Sequence, residues 1–157
     1  MLALDGAHGA DDVNTMAWNA AVAYLVATGG DDGVAKVWDL RAFGKDCKPV
    51  GLFDYHAKSH VASIQWDPHD ESALALAAAG DADSVSLWDL SVEDDTPPGI
   101  PSGETTDFGV PPQLMFVHQG LNDPKEVKHH PQIPGLVMTT ALDGFNVFIP
   151  NLAAAAP

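Results

Sequence analysis

Apolar and polar residues alternate along the chain in short runs bounded by Gly, Pro, Asp or Asn, a pattern that predicts strands. The run ALALAAA has helical propensity, but it is only seven residues long and occupies the place of AYLVAT in a matching segment. The predicted inner strands are VNTMAW (13–18), AYLVAT (23–28), VAKVWDL (34–40), VASIQW (61–66), ALALAAA (73–79), SVSLWDL (84–90), EVKH (126–129), GLVMTT (135–140) and FNVFI (145–149). PVGLFDY (49–55) and PQLMFVH (112–118) lie between these groups and are predicted to be outer strands.

The predicted strands fall into three repeats of one unit, at residues 8–40, 56–90 and 118–149. Each unit opens with a His, and the first two end in Trp-Asp-Leu, with Trp38 and Trp88 fifty residues apart. The third copy is fainter. Repetition at a fixed period is the signature of repeat architectures.

Four antiparallel strands per unit, repeated along the chain, predict an all-β fold built from β-propeller blades. The turns GDDG, DPHD and LDG supply residues that tolerate tight bends. Residues 92–112 interrupt the period and are rich in Pro, Gly and acidic residues, so we predict a mobile loop there. That loop is either an inert solvated insertion or an acidic segment that binds a partner.

The charge of the chain limits the class of partner. Seven Lys and Arg face 22 Asp and Glu, which gives a net charge of −15 and a pI near 4.4. Nucleic acid and anionic membranes both require a positive surface, so direct binding to either is not expected. The charge favours a basic partner or a well-solvated surface.

Cys47 is the single cysteine, so no intramolecular disulfide and no Cys-based zinc site is expected, and a reducing compartment fits best. The start MLALDGAHG lacks a basic segment and a long apolar run, unlike a signal peptide. No apolar run is long enough to span a membrane. These features predict a soluble intracellular protein.

The sequence disfavours three kinds of chemistry. His118, His129, His130 and Asp143 suggest a metal site, but consecutive strand residues point to opposite faces, so His129 and His130 cannot easily hold one ion. GGDDG lies between strands rather than before a helix, which argues against a phosphate loop. No Ser or Cys stands in a nucleophile elbow. We therefore expect no enzyme, no metal and no cofactor.

The spacing TGGDDGVAKVWDL resembles the WD40 repeat. The resemblance assigns a structural tetrad to the first unit, in which Trp38 donates to Thr28, Thr28 bonds His8, and His8 bonds Asp32. Such groups are costly to bury alone but satisfy one another together. The repeated Trp-Asp phrase is thus interpreted as structural, not catalytic.

The second unit departs from the WD40 pattern. Counting back from Trp88 places Ala78 where Thr28 stands and Ala82 where Asp32 stands, while His56 and His60 compete as the opening His. No tetrad is expected there, although Asp89 completes the Trp-Asp pair. We accordingly expect loss of Trp88 to cost less stability than loss of Trp38.

The third unit keeps less of the pattern. His118 opens it, His129 stands where Trp18 and Trp66 stand, and Phe148 replaces the Trp of the Trp-Asp pair. Asp143 is one residue closer to Phe148 than Asp32 is to Trp38. Apolar packing is expected to hold this unit together.

Longer stretches carry a closer resemblance. DVNTMAW, GGDDGVAKVWDLR, PPQLMFVHQG and HPQIPGLVMTTALDGFNVF are similar to the last three of seven blades in the glutamate-rich WD-repeat protein family. The resemblance implies a nucleolar protein of large-ribosomal-subunit assembly that chaperones a basic ribosomal protein. It also implies pre-ribosomal factors as partners and relatedness to histone-binding WD40 proteins. A negatively charged chaperone suits basic clients.

The residues around Arg41 suggest an alternative function. Trp38-Asp39-Leu40-Arg41 matches the Trp-Asp-x-Arg box through which some WD40 proteins dock onto a cullin-type ubiquitin ligase adaptor. An Arg projecting there could form paired bonds to a carboxylate. A surface Arg that simply follows a strand is the competing interpretation.

Residues 1–157 are interpreted as the C-terminal part of a larger propeller, from a truncated gene model or fragment. Met1–Leu4 is predicted to be an outer strand of a preceding blade, and the last unit ends on its third strand. Three blades alone expose strand edges, so self-association or low cooperativity of unfolding is expected.

Overall fold

The computed structural model describes residues 3–44, 47–56, 59–92 and 110–152. Within these ranges no helix is long and apolar enough to cross a bilayer. A single turn of 3-10 helix, Leu40–Ala42, follows the third strand. The strands are β1 (Val13–Trp18), β2 (Leu25–Gly30), β3 (Ala35–Asp39), β4 (Gly51–Phe53), β5 (Ser59–Trp66), β6 (Ala73–Gly80), β7 (Ser84–Asp89), β8 (Leu114–His118), β9 (Glu126–His129), β10 (Val137–Ala141) and β11 (Gly144–Phe148).

The strands form three antiparallel sheets, which we call blades. Blade 1 has the order β1-β2-β3-β4, blade 2 the order β5-β6-β7-β8, and blade 3 the order β9-β10-β11. Within each blade, every strand pairs with its neighbours in sequence, so each blade is a meander. The predicted all-β fold of repeated antiparallel blades is confirmed, with four, four and three strands among the described residues.

Two parts of the sequence prediction need comment. Ala3 and Leu4 pair with no strand of the described chain, and the strand predicted at Met1–Leu4 as part of a preceding blade stays a prediction. The first two residues of that strand, and residues 93–109 of the predicted acidic loop, lie outside the described residues.

The core consists of two layers of apolar side chains between successive blades. One layer includes Trp66 and Trp88 and joins blades 1 and 2, and the other includes Val127 and Val137 and joins blades 2 and 3. Strand β6 lies between the two layers, with all its residues buried except Gly80. Burial on both faces explains why ALALAAA is a strand despite its helical propensity.

The first strands of the three blades lie side by side and run in the same direction. At one end, the indole Nε1 of Trp66 donates to the carbonyl oxygen of Ala17 at 3.2 Å. Further along, the backbone N–H of Val127 donates to Ser63 Oγ at 3.3 Å. Because β1, β5 and β9 are parallel neighbours, their N-terminal ends lie on one rim of the molecule, which we call the starting rim. Their C-terminal ends lie on the opposite rim, which we call the finishing rim.

Candidate protein-binding rim

Four side chains fasten the loop before blade 1 to its sheet. The indole Nε1 of Trp38 donates to Thr28 Oγ1 at 2.8 Å, and Thr28 Oγ1 lies 2.9 Å from Nε2 of His8. Nδ1 of His8 lies 2.8 Å from Asp32 Oδ1. A carboxylate only accepts, so Nδ1 carries the proton and Thr28 donates to Nε2. The structure thus brings together the four residues to which the WD40 resemblance assigns a tetrad.

The tetrad also sets the charge state of the turn between β2 and β3. Burial raises the pKa of Asp32, but hydrogen bonds from His8, the Val34 N–H and Lys36 outweigh burial and hold the pKa below 3.8. A Cβ on Gly30 would lie 2.9 Å from the His8 ring, so this glycine is needed for the close approach of the two segments. The turn and the loop before β1 are therefore fixed together at the starting rim.

Strand pairing corrects the predicted alignment of the second unit. Trp38 lies opposite Val26, whereas Trp88 lies opposite Leu74, so the second hairpin is two residues longer than the first. The counterpart of Thr28 is consequently Leu76 and not Ala78. Counting residues back from Trp88 could not detect the two extra residues, because they lie inside the hairpin formed by β6 and β7.

Blade 2 contains a shorter network that the sequence prediction missed. The indole of Trp88 donates to Ser86 Oγ at 2.8 Å, and Ser86 Oγ lies 2.8 Å from Nε2 of His56. The hydroxyl that blade 1 carries on its second strand is here on the third. Burial lowers the pKa of His56 to about 4, so its ring is neutral and accepts from Ser86. Trp88 therefore has no tetrad but completes a three-membered network, which the sequence did not predict.

The choice between the two histidines of blade 2 is settled by burial. His56 is buried, whereas His60 is exposed. Ala82, which counting along the sequence places where Asp32 stands, has no carboxylate to pair with His56. Its backbone N–H donates to Ser59 Oγ at 2.7 Å. Among the described residues, the blade 2 network therefore has three members in place of four.

Blade 3 replaces hydrogen bonds by ring stacking. The His118 ring stacks on Phe148 with centroids 4.3 Å apart. Phe148 lies opposite Val137 and Thr139 opposite Asn146, so Thr139 is the counterpart of Thr28. Its buried hydroxyl has no hydrogen-bond partner within the described chain, since the phenyl ring of Phe148, unlike the indole of Trp38, carries no N–H. Asp143 is exposed in the turn before β11.

The Asp of each Trp-Asp pair closes the turn after the third strand. Asp39 Oδ1 accepts from the backbone N–H of Arg41 at 2.9 Å, and Asp89 Oδ1 accepts from that of Ser91 at 2.8 Å. Arg41 also donates from Nη2 to Asp39 Oδ2 at 2.7 Å. Its guanidinium lies 3.6 Å above the ring of Tyr24. The predicted paired bonds to a carboxylate are thus made within the chain, at the finishing rim.

The histidines considered for metal binding do not converge. His129 is buried and His130 half-buried, and His130 Nδ1 accepts from the backbone N–H of Gln132 at 3.1 Å. Across the ranges that the structure describes, no group of three or more His, Cys, Asp or Glu side chains is arranged to hold a metal ion.

Among the described residues, acidic side chains cluster on the starting rim, which we call the Asp rim. It consists of the loops before the first strands and the turns between second and third strands. Among the described residues these loops carry one basic side chain, Lys125, which pairs with Asp123 at 2.5 Å. Their acidic residues are Asp5, Asp11, Asp12, Asp31, Asp32, Asp54, Asp81, Asp83, Asp123 and Asp143. The sequence did not predict this rim, because it assembles only when parallel first strands bring the loops together.

The finishing rim has a more balanced charge. Its described loops carry two basic residues, Arg41 and Lys48, and three acidic residues, Asp67, Asp70 and Glu71. The described loops of the two rims therefore differ in charge, and the acidic residues of segment 93–109, between β7 and β8, lie outside the described residues.

A family model for the WD domain, G-beta repeat (WD40) matches residues 3–39 and 47–89. The chain is similar to ribosome assembly protein rrb1 of Schizosaccharomyces pombe, with 42% identity over 100 residues covering 64% of this chain and 20% of that protein. It is 42% identical over 107 residues to protein HEAT STRESS TOLERANT DWD 1 of Arabidopsis thaliana, covering 64% of this chain and 22% of that protein. The chain therefore spans about a fifth of these relatives.

A third relative is glutamate-rich WD repeat-containing protein 1 of Dictyostelium discoideum, 60% identical over 42 residues, or 27% of this chain and 9% of that protein. The resemblance to this group predicted from the sequence is thereby confirmed. A chain in the crystal structure of the mitotic checkpoint complex has the same fold, with a TM-score of 0.67 at 16% identity, covering 90% of this chain and 36% of that one.

Proposed function

We propose that this chain, which belongs to the WD40 repeat family, is a non-catalytic protein-binding scaffold that acts in ribosome assembly. Two observations support the proposal. One relative is named a ribosome assembly protein and another a glutamate-rich WD repeat-containing protein. The second observation is the Asp rim, which offers a broad acidic surface to a partner.

The Asp rim suits a basic protein client. Seven of its aspartates are exposed, and the rigid attachment of Asp32 to His8 and Lys36 keeps the loops of blade 1 in place. Opposite charges steer association and fix orientation, and a preformed surface loses little entropy on binding. A chaperone that shields a Lys- and Arg-rich ribosomal protein before assembly needs such a surface.

The finer details of the proposal follow the family. The basic client is a large-subunit ribosomal protein, the other partners are pre-ribosomal factors, and the chain works in the nucleus and nucleolus. Histones are basic as well, so the same rim would bind them. Direct binding to nucleic acid is not proposed, because the net charge of −15 repels phosphate.

Blades 1, 2 and 3 are also proposed to be consecutive parts of a larger ring, with further blades against the free sides of blades 1 and 3. Trp18 is 58% exposed on the free side of blade 1, although its counterpart Trp66 is buried against blade 1. On blade 3, Phe145 and Val147 are exposed along β11. Both apolar surfaces match those that bury one another between blades 1 and 2.

Neutralising exposed aspartates of the Asp rim tests the function. The double variant Asp11→Asn/Asp12→Asn removes two negative charges there, and Asp70→Asn/Glu71→Gln removes two from the finishing rim. A fluorescent Lys- and Arg-rich peptide from a large-subunit ribosomal protein is titrated against each variant. Exposed charges contribute about 0.2–1 kcal/mol each, so the rim variant, which loses two of them, should bind about 2- to 30-fold more weakly.

The finishing-rim variant provides the matched control and should bind like the wild type. Affinity should also fall as salt is raised, because exposed charges are screened over about 8 Å at physiological ionic strength. Equal weakening by both variants would show that only net charge matters, and would contradict an Asp rim site. Tight, salt-independent RNA binding would contradict the function itself.

A second candidate function is that of a substrate receptor for a cullin-type ubiquitin ligase. The observation in its favour is that Arg41 is held in one orientation by Asp39 and Tyr24 while its side chain stays 64% exposed. Arg41→Ala should then abolish binding to a purified ligase adaptor and leave the basic peptide bound as before. An adaptor that does not bind the wild-type chain would exclude this function.

A further inference from the structure

A buried histidine lies where blade 3 meets blade 2. The side chain of His129, at the end of β9, is 5% exposed. Its Nδ1 lies 3.5 Å from Asp67 Oδ2, which belongs to the turn after β5. In the part of the chain that the structure describes, neither ring nitrogen of His129 makes a hydrogen bond. A polar ring is therefore enclosed at this contact without a satisfied partner.

The same position is occupied differently in the other blades. Trp66 fills it in blade 2, and its indole donates across to Ala17 of blade 1. In blade 3 the crossing bond comes from the backbone, since the N–H of His129 donates to Gln65 Oε1 at 2.6 Å. A smaller ring that can take up a proton thus replaces a large one that cannot.

The surroundings of His129 leave few groups that could stabilise a charge. A cavity of about 50 Å³ beside the ring is lined mainly by apolar residues of β6, β7, β8 and β10, with Asp67 as its one charged residue among the described chain. The titratable groups nearby are Asp67, His69 in the same turn, and the adjacent His130. Burial lowers the pKa of His129 below 6.5, Asp67 partly opposes this, and His69 adds to it.

We propose that His129 makes the contact between blades 2 and 3 acid-sensitive: a proton on its ring loosens blade 3 from blade 2. The docked blade favours the neutral ring, and the undocked blade exposes the ring to water, where it binds a proton readily. A histidine with a lowered pKa gives stability that is complete above 6.5 and is lost as pH falls. This inference is independent of the proposed function.

Hydrogen exchange followed by NMR on the full chain tests the proposal. Protection of the amides of β9 and β10 is divided by that of β6 and β7 in the same sample, after correction for intrinsic exchange rates. This ratio cancels losses of stability that open both blades together, and it is measured also in His56→Asn, which removes the titration that could lower the protection of blade 2 alone. Between pH 7 and pH 5 the ratio should fall by up to about 30-fold. A constant ratio would overturn the proposal.

Substitutions of the ring separate titration from packing. His129→Trp restores the residue of blades 1 and 2, and His129→Phe gives a ring that cannot take up a proton, so both should give a constant ratio. His69→Asn is the control and should keep the pH dependence. If neither ring variant folds, the wild-type His129 Cε1–H resonance decides: titration below pH 6.5 supports the proposal, and titration at or above 6.5 refutes it.

Discussion

Replacing the two tryptophans of the Trp-Asp pairs by alanine tests how each blade is held. Trp88 is completely buried in the layer between blades 1 and 2. It packs against Phe53 with ring centroids 4.9 Å apart and against Tyr55 at 6.3 Å. Trp38 is 5% exposed and borders a hollow on the free side of blade 1. The structure therefore reverses the order of effects that the sequence predicts.

The size of each effect follows from these contacts. Truncating a buried Trp to Ala costs about 3–5 kcal/mol. Both indoles also lose one hydrogen bond, worth about 1 kcal/mol. Trp88 loses aromatic contacts worth about 1 kcal/mol more, and the space it leaves is enclosed, whereas water can enter beside Trp38. We expect about 6 kcal/mol for Trp88→Ala and about 4 kcal/mol for Trp38→Ala.

Urea unfolding followed by circular dichroism measures the difference. Trp88→Phe and Trp38→Phe are the matched controls, because they keep a buried aromatic ring while removing the N–H donor and the smaller part of the indole. Each should cost about 1–2 kcal/mol, and the two should be similar. A larger loss for Trp38→Ala than for Trp88→Ala would refute the argument that Ser86 and the layer between the blades compensate for the missing tetrad.

Three other predictions follow from individual side chains. Thr139→Val should stabilise the chain by about 1 kcal/mol in urea, because it removes an unpaired buried hydroxyl, whereas Thr28→Val should destabilise it; opposite signs are the test. Stability should fall by up to about 3 kcal/mol as pH drops from 6.5 toward 4, since His56 must stay neutral when folded, and His56→Asn should flatten that profile. Val147→Lys should reduce self-association in sedimentation velocity, because a charge on the β11 edge opposes pairing; unchanged sedimentation would count against association through this edge.

Strand positions could be predicted because alternation and turn residues are local properties. The eleven strands of the described chain lie within a few residues of the predicted runs, including the outer strands PVGLFDY and PQLMFVH. ALALAAA is also a strand, as its place in the repeat predicts in spite of its helical propensity. The tetrad residues of blade 1 could be assigned for the same reason, since that unit keeps the family spacing.

Features that depend on tertiary structure could not be predicted. The longer hairpin of blade 2 changes which residue faces Trp88, and the Ser86 hydroxyl becomes a partner only in that alignment. Arg41 and Asp39 are two residues apart, but the bond between them depends on the turn that follows β3. The Asp rim combines aspartates from all three blades, and no local pattern marks those that share a surface.

Affinity purification of the tagged chain from cells tests the central claim, that the Asp rim recognises a basic client during ribosome assembly. Wild type, Asp11→Asn/Asp12→Asn, Asp70→Asn/Glu71→Gln and Arg41→Ala are compared by quantitative mass spectrometry. We predict that a basic large-subunit ribosomal protein and pre-ribosomal factors co-purify with the wild type, and that only the Asp rim variant loses them. Recovery of a ligase adaptor that depends on Arg41, with no ribosomal protein, would contradict the claim.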